Sequence, residues 1–143
     1  MNLRFVLASA ADRDYLLILR KATLVEHLEQ AGIFLSDSEH EIRLDDQYDC
    51  SYIIFNGPDR LGTLKYQELA SCFNILQLQI EPSHQGQGWG KHVLQIVQSW
   101  AAQKSKSVTL TVLKENPAKQ LYQRLGFNIV GEDKYEYHLR YQP

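Results

Sequence analysis

Three strand-like runs follow one another with no helical pattern between them, over residues 51–55, 60–66 and 75–81. The first two runs are joined by Asn56-Gly57-Pro58-Asp59, whose residue types are typical of a tight hairpin turn. Together the runs predict an antiparallel meander. A meander fits poorly with doubly wound folds, because those folds alternate strand and helix along the chain.

Helices and further strands are predicted on both sides of the meander. A strand over residues 3–8 leads into a helix over 12–30, which has a potential break near Thr23 and a terminating glycine at Gly32. Residues 36–48 fit either a short surface helix or a loop. The later patterns predict a helix that begins near Gly88, a strand over 108–112, a helix through Arg124, and strands over 127–130 and 135–141. We therefore expect one mixed α/β domain over residues 1–143.

Charge and composition exclude several classes of protein. Fifteen Lys and Arg residues against 17 Asp and Glu residues give a net charge of −2, without the basic excess that nucleic-acid binding needs. Charged residues interrupt the first twenty positions, so neither a signal peptide nor a membrane span is predicted, and a soluble cytoplasmic protein is expected. Cys50 and Cys72 are expected to be buried free thiols. The five histidines lack metal-ligand spacing, so no metal is predicted and most histidines are expected at the surface.

A glycine-rich segment, Gln85-Gly86-Gln87-Gly88-Trp89-Gly90-Lys91, lies between the third run of the meander and the following helix. Its spacing matches neither the phosphate loop of nucleotide triphosphatases nor the dinucleotide-binding fingerprint. Glycine allows a ligand to approach the main chain closely, and a helix N-terminus presents unpaired N–H groups. The segment therefore predicts a site for a phosphate or pyrophosphate, with a ligand-free strand-to-helix turn as the alternative.

Two motifs resemble those of the GCN5-related N-acetyltransferase (GNAT) family. The first is Gln85-x-x-Gly88-x-Gly90, which follows a strand that ends in Ile80-Glu81-Pro82. The second is Asn116 opening a helix that carries Tyr122 before Leu125-Gly126-Phe127. The resemblance is specific over residues 76–130 and implies the GNAT fold, an α/β domain with a mostly antiparallel mixed sheet that is splayed between its fourth and fifth strands and flanked by helices.

The resemblance also implies acetyl-CoA as the acyl donor and assigns residues to it. The donor-binding residues are expected to be Leu78, Ile80, Gln85, Gly86, Gln87, Gly88, Trp89, Gly90, Lys91, Asn116 and Tyr122. Amides of the glycine-rich segment, with Lys91 nearby, would hold the pyrophosphate, and the main chain at residues 78–80 would pair with the pantetheine arm. A backbone N–H near Ile80 would polarise the thioester carbonyl. Trp89 stands where the family usually has an aliphatic residue.

Two residues are expected to carry the chemistry of transfer to an amine. Tyr122 is the candidate acid for the leaving thiolate, although a core aromatic is the structural alternative. Gln77, Gln79 and Glu81 alternate along one strand, and Glu81, as the only carboxylate among them, is the candidate base. A solvated strand-end charge is the alternative for Glu81. A water held by Gln79 could replace it, and Glu115, His84 and Glu68 are weaker candidates.

The leading hypothesis is therefore an enzyme that transfers acetyl from acetyl-CoA to a primary amine by direct attack. The alternatives are a non-catalytic acyl-CoA-binding or interaction domain of the same fold and an ordinary nucleotide-binding domain, against which the motif spacing argues. No motif identifies the acceptor, which could be a small-molecule amine or a peptide amine. The final strand could pair across a homodimer, and a monomer is equally compatible with the sequence.

Overall fold

The computed structural model describes residues 3–143, which form four α-helices and seven strands in the predicted order. The strands are β1 (Leu3–Leu7), β2 (Ser51–Asn56), β3 (Asp59–Glu68), β4 (Cys72–Ile80), β5 (Ser107–Leu113), β6 (Asn128–Glu132) and β7 (Glu136–Tyr141). The helices are α1 (Arg13–Gln30), α2 (Asp37–Asp45), α3 (Trp89–Gln103) and α4 (Ala118–Arg124).

The first two helices decide points that the sequence left open. Helix α1 continues through Thr23, whose hydroxyl donates to the Leu19 carbonyl at 2.8 Å instead of breaking the helix. The polar segment after α1 contains a helix, because Ser36 and Glu39 form a reciprocal capping box at its start. The ion pairs Arg13–Asp45 and Lys21–Asp37 join α2 to α1.

All seven strands form one sheet in the order β1-β2-β3-β4-β5-β7-β6. Only β4 and β5 pair in parallel, and the other five pairings are antiparallel, as the predicted fold class requires. Strand β7 lies between β5 and β6, so both of its hydrogen-bonding edges are occupied. The prediction that the final strand could pair across a dimer is therefore wrong.

Helices cover both faces of the sheet. The alternating side chains of a strand point to opposite faces, and the adjacent residues Ile53 and Ile54 show this directly. Ile53 packs with Leu16 of α1 and Leu44 of α2, whereas Ile54 belongs to the larger core that includes Val93 and other residues of α3. The sheet thus separates α3 from the pair α1 and α2.

The sheet opens between β4 and β5. Residues 72–75 of β4 pair with residues 107–110 of β5, and the pairing stops there although both strands continue. At the same point Ile75 pairs with Tyr66 and Gln77 pairs with Lys65, so Leu76 is an extra, bulged residue. A bulge bends its strand away from a neighbour. The predicted splay is confirmed, and it produces a cleft between the ends of β4 and β5.

Other sequence predictions have mixed outcomes. Cys50 and Cys72 are free, as predicted, but half-buried rather than buried. Of the five histidines, most of which were expected at the surface, His40 is buried, His138 is exposed and the other three are half-buried. Within residues 3–143, no cluster of three His, Cys, Asp or Glu side chains is arranged to hold a metal ion. No helix in the same range has the length and apolar character needed to cross a membrane.

Candidate active site

Two cavities meet in the cleft between β4 and β5. The first, of about 590 Å³, is bordered by the glycine-rich segment, and we call it the loop cavity. The second, of about 520 Å³, is bordered by Arg20 of α1 and Arg43 of α2, and we call it the arginine cavity. Five residues line both cavities and so mark the junction between them: Leu24, Leu78, Gln79, Asn116 and Tyr122.

The backbone of the glycine-rich segment is open to the loop cavity. Gly86 and Gly88 have φ angles of +76° and +85°, and a Cβ atom added at either would meet nothing within 4 Å. Gly88 precedes α3, and the first hydrogen bond within that helix runs from the His92 N–H to the Gly88 carbonyl at 3.0 Å. The N–H groups of residues 89–91 therefore have no acceptor within the helix. They form the kind of positive site that binds phosphate.

The residues of the glycine-rich segment divide into those that line the loop cavity and one that does not. Gln85, Gly86, Gly88, Trp89, Gly90 and Lys91 line the loop cavity, as the predicted site requires. Gln87 does not line it, because its side-chain oxygen accepts from the Trp89 indole N–H at 3.3 Å. The Gln85 amide donates to the Ile80 carbonyl at 2.9 Å and so ties the segment to the end of β4.

The main chain of β4 presents alternate residues to the cleft. The Gln79 carbonyl points at Gly62 of β3, and the Glu81 N–H donates to the Leu61 carbonyl at 2.8 Å. In an antiparallel pair, alternate residues direct both N–H and C=O toward the partner strand. Leu78 and Ile80 therefore direct their polar groups away from β3. Beyond the bulge no strand pairs with that side, so their N–H groups face the loop cavity that both residues line.

Helix α4 places Tyr122 at the junction of the cavities. The Asn116 side-chain oxygen accepts from the Ala118 N–H at 3.0 Å and fixes the start of the helix. The Tyr122 ring packs edge-on against Phe127, with ring centroids 5.8 Å apart. Its hydroxyl has no hydrogen-bond partner in residues 3–143, and burial raises the pKa of Tyr122 to about 12. The side chain is therefore both a core aromatic and a protonated hydroxyl in the cleft.

Glu81, the predicted base, lies away from both cavities. Its carboxylate accepts from the Tyr15 hydroxyl at 2.6 Å and lies 3.6 Å from the His84 ring. Burial, with the Glu81 carboxylate beside it, raises the pKa of Tyr15 above its ordinary value. The structure brings Gln77 and Gln79 into the arginine cavity but leaves Glu81 outside it, because the strand ends at Ile80. This placement argues against Glu81 as the base.

The weaker candidates also have defined positions. Glu115 is exposed and borders neither cavity. Glu68 forms ion pairs with Lys104 and Lys106, both at 2.8 Å, and likewise borders neither cavity. His84 lines the loop cavity but is held by Ser83 and lies near Glu81. None of the three is placed at the junction.

Helices α1 and α2 contribute residues that the motifs do not identify. Leu24 lies at the junction, His27 lines the loop cavity, and Arg20 and Arg43 line the arginine cavity. The His27 Nδ1 atom is buried and has no partner within residues 3–143. A signal for Arg20 exists in the sequence, because it interrupts an apolar row at four-residue spacing: Leu16, Arg20, Leu24 and Leu28.

Comparisons with known proteins agree with this architecture. The model of the acetyltransferase (GNAT) domain matches residues 28–143. The fold is similar to that of the PaiA N-acetyltransferase from Thermoplasma acidophilum in complex with coenzyme A, with a TM-score of 0.76, 17% identity and complete coverage of both chains. It is also similar to an acetyltransferase from Thermus thermophilus, with a TM-score of 0.77 and 18% identity over 100% of this chain and 98% of that one. A GNAT-family acetyltransferase from Listeria monocytogenes gives a TM-score of 0.67 and 15% identity over 99% and 94% of the two chains.

A search of curated proteins by sequence finds no match. The solved structures are too distant in sequence to transfer a substrate, and they support the fold alone. The domain match is different in kind, because it rests on sequence and spans most of the chain, including both motifs and every junction residue except Leu24. The chain belongs to the GNAT acetyltransferase family.

Proposed function

We propose that the protein transfers an acetyl group from acetyl-CoA to a primary amine by direct attack. The observation that carries the proposal is the junction itself, where Gln79, Asn116 and Tyr122 line both cavities. One cavity offers a phosphate-binding backbone, and the other leaves room for an acceptor. When bound, acetyl-CoA supplies the thioester carbon that the amine attacks. The coenzyme A in the Thermoplasma acidophilum structure supports this choice of donor.

The residues of the loop cavity fit such a donor. The unpaired N–H groups of residues 89–91, with Lys91 beside them, would hold the pyrophosphate. The main-chain groups of Leu78 and Ile80 would hydrogen-bond the pantetheine arm along the open edge of β4. The Ile80 N–H would also polarise the thioester carbonyl. Gln87 would act indirectly, by holding the Trp89 ring.

Tyr122 is proposed as the acid at the leaving sulfur. Its raised pKa keeps the hydroxyl protonated at neutral pH. Because a free thiol has a pKa of about 8.5, the sulfur is a weaker base than the tyrosinate. The hydroxyl therefore acts mainly by donating a hydrogen bond as negative charge develops on the sulfur, and full proton transfer is secondary.

The proton of the attacking ammonium requires a separate route. The buried Gln79 side chain lies at the junction, where its amide can hold a water molecule. With Glu81 bound to Tyr15, we propose that this water, rather than the Glu81 carboxylate, carries the proton to solvent. Substitution of Gln79 would then slow transfer more than substitution of Glu81.

Calorimetric titration with acetyl-CoA tests the donor, with ATP and NAD as control ligands. Gly88→Glu would place a carboxylate beside the unpaired N–H groups of residues 89–91 and should abolish acetyl-CoA binding. Gly57→Glu is a matched control, since Gly57 also has a positive φ and open surroundings but lies in the β2–β3 turn. Equal binding by wild type and Gly88→Glu would refute the proposed donor site.

Thiol release with a panel of amines tests catalysis. Tyr122→Phe should lower kcat by about 10²-fold while acetyl-CoA affinity stays within about twofold. Tyr141→Phe is the control, because Tyr141 also packs on Phe127 but borders neither cavity. Unchanged kcat in Tyr122→Phe would remove that residue from the reaction. Acetyl-CoA binding without acetylation of any amine would instead favour the non-catalytic alternative.

A further inference from the structure

Arg20 is a buried cation in the wall of the arginine cavity. Its side chain is 3% exposed, although it lies in the middle of α1. Its Nε–H donates to His40 Nδ1 at 3.2 Å. A guanidinium has five N–H donors, and in residues 3–143 the four on the two terminal nitrogens of Arg20 have no hydrogen-bond partner. His40 therefore orients the Arg20 side chain but leaves its terminal N–H groups available to a ligand.

No carboxylate in the described part of the chain neutralises Arg20. His40 accepts through Nδ1 and is therefore neutral, and burial, with Arg20 beside it, lowers the pKa of His40. Arg43 lines the same cavity, and neither arginine has a carboxylate oxygen within 4 Å in residues 3–143. Burial and the like charge of Arg43 lower the pKa of Arg20 only to about 10, so it stays charged at neutral pH.

The acidic residues of the cavity do not supply the missing charge. Asp133 in the β6–β7 turn and Glu136 at the start of β7 line the cavity, and within residues 3–143 neither carboxylate lies within 4 Å of Arg20 or Arg43. Asp133 already accepts from the backbone N–H groups of Tyr135 and Glu136 and contacts His138 at 3.1 Å. A buried charge without a partner is costly. Two arginines that line one cavity suit the binding of a carboxylate or phosphate.

We propose that the acceptor is an amine that also carries an anionic carboxylate or phosphate group, which Arg20 and Arg43 bind. This inference deepens the proposed function and rests on it. It assigns the arginine cavity to the acceptor and gives the two arginines a positioning role: they hold the anionic end so that the amine points to the junction.

The position of Arg20 on α1 places the anion site beside the junction. Arg20 and Leu24 are one helical turn apart, about 6 Å along the axis, and Leu24 lies at the junction. An acceptor whose anionic group binds Arg20 therefore lies in the same cleft as the junction.

Matched amine pairs test the proposal. An α-amino acid is compared with its amide, and phosphoethanolamine with ethanolamine, by thiol release from acetyl-CoA. Because charge-assisted hydrogen bonds change binding by about tenfold or more, kcat/KM should be at least about tenfold higher for one anionic member. A preference within the amino-acid pair would indicate a carboxylate, and a preference within the phosphoethanolamine pair would indicate a phosphate.

Arg43→Gln tests the residue. Arg43 is exposed, so the variant should fold, and its selectivity ratio should fall about tenfold through KM rather than kcat. Arg140→Gln, an exposed arginine of β7 outside both cavities, should keep the wild-type ratio. Equal rates with both members of each pair, or a ratio that survives Arg43→Gln, would overturn the inference while leaving acetyl transfer intact.

The failure of acetylation itself has a separate readout. If acetyl-CoA binds but no amine is acetylated, the proposed function fails, and the same anionic amines are titrated calorimetrically in the presence of coenzyme A. Saturable binding that Arg43→Gln weakens about tenfold or more would then support the anion site. Absence of binding would overturn it.

Discussion

The absence of a Cβ atom at Gly62 of β3 permits the close approach of β3 and β4 beside the cleft, and Gly62→Ala tests this most directly. A Cβ atom at this position would lie 1.9 Å from the Gln79 carbonyl oxygen and 3.0 Å from the Ile80 Cα. Both contacts are with backbone, so no side chain can rotate away to relieve them. Alanine therefore forces the two strands apart at residues that line the cavities.

The size of the effect follows from that contact. Opening it from 1.9 Å to at least 3.0 Å moves the strands apart by about 1.1 Å. The neighbouring bond from the Glu81 N–H to the Leu61 carbonyl would lengthen from 2.8 Å to about 3.9 Å and break. Two or three ladder bonds of about 1 kcal/mol each are affected, so the free energy of unfolding should fall by about 2–3 kcal/mol.

Urea denaturation measures the loss, and calorimetry with acetyl-CoA measures its effect on the donor site. Gly131→Ala in β6 is the matched control, because its Cβ would meet His138 at an ordinary 3.8 Å, and its stability should stay within about 1 kcal/mol of wild type. Gly62→Ala should also bind acetyl-CoA more weakly, because Gln79 and Ile80 move. A loss below about 0.5 kcal/mol for Gly62→Ala would refute the argument.

Two further predictions concern stability. Asn116→Ala removes the acceptor for the Ala118 N–H and should cost about 1 kcal/mol by urea denaturation, whereas Asn116→Asp should restore most of it; equal stability of all three proteins would exclude the capping role. Basic or hydrogen-bonded partners lower the pKa of five carboxyl groups, so the stability they provide is present at neutral pH and is lost as pH falls through their folded-state pKa values. The urea midpoint should therefore drop between about pH 5 and pH 3, and a midpoint constant over that range would contradict the assignment. The five groups are Asp37, Glu39, Asp45, Glu68 and Asp133.

The order of elements could be predicted because each carries a local signal. Alternating apolar residues predict the strands, and the row Val93, Val97 and Ala101 predicts the face of α3 that the structure buries. The polar segment around Ile42 gave no such signal, since Ile42 is 68% exposed and the helix depends on its capping box. The position of β7 inside the sheet could not be predicted, because it depends on pairing with β5 and β6 rather than on its own residues.

The candidate site also contains residues that local motifs predicted and residues whose placement depends on distant contacts. The glycine-rich segment and Tyr122 belong to motifs, and the structure brings them to the two cavities. Strict alternation placed Glu81 on the same face as Gln79, whereas the strand ends before Glu81 and Tyr15 of α1 binds its carboxylate outside both cavities. Contacts between segments 66 residues apart, such as this one, leave no local trace in the sequence.

The cleft depends on two opposite features of β4 acting together. At Leu76 the bulge ends pairing with β5, which frees the N–H groups on one edge of the strand. On the other edge β3 stays paired with β4 as far as Gly62 and Ile80. Without the bulge, β5 would occupy the edge of β4 that faces the cleft. Without the close approach at Gly62, the freed strand would lack the rigid support that keeps its N–H groups in place. A protein that must expose strand edge to a ligand therefore needs one neighbour released and the other held, and the pairing of β4 shows both.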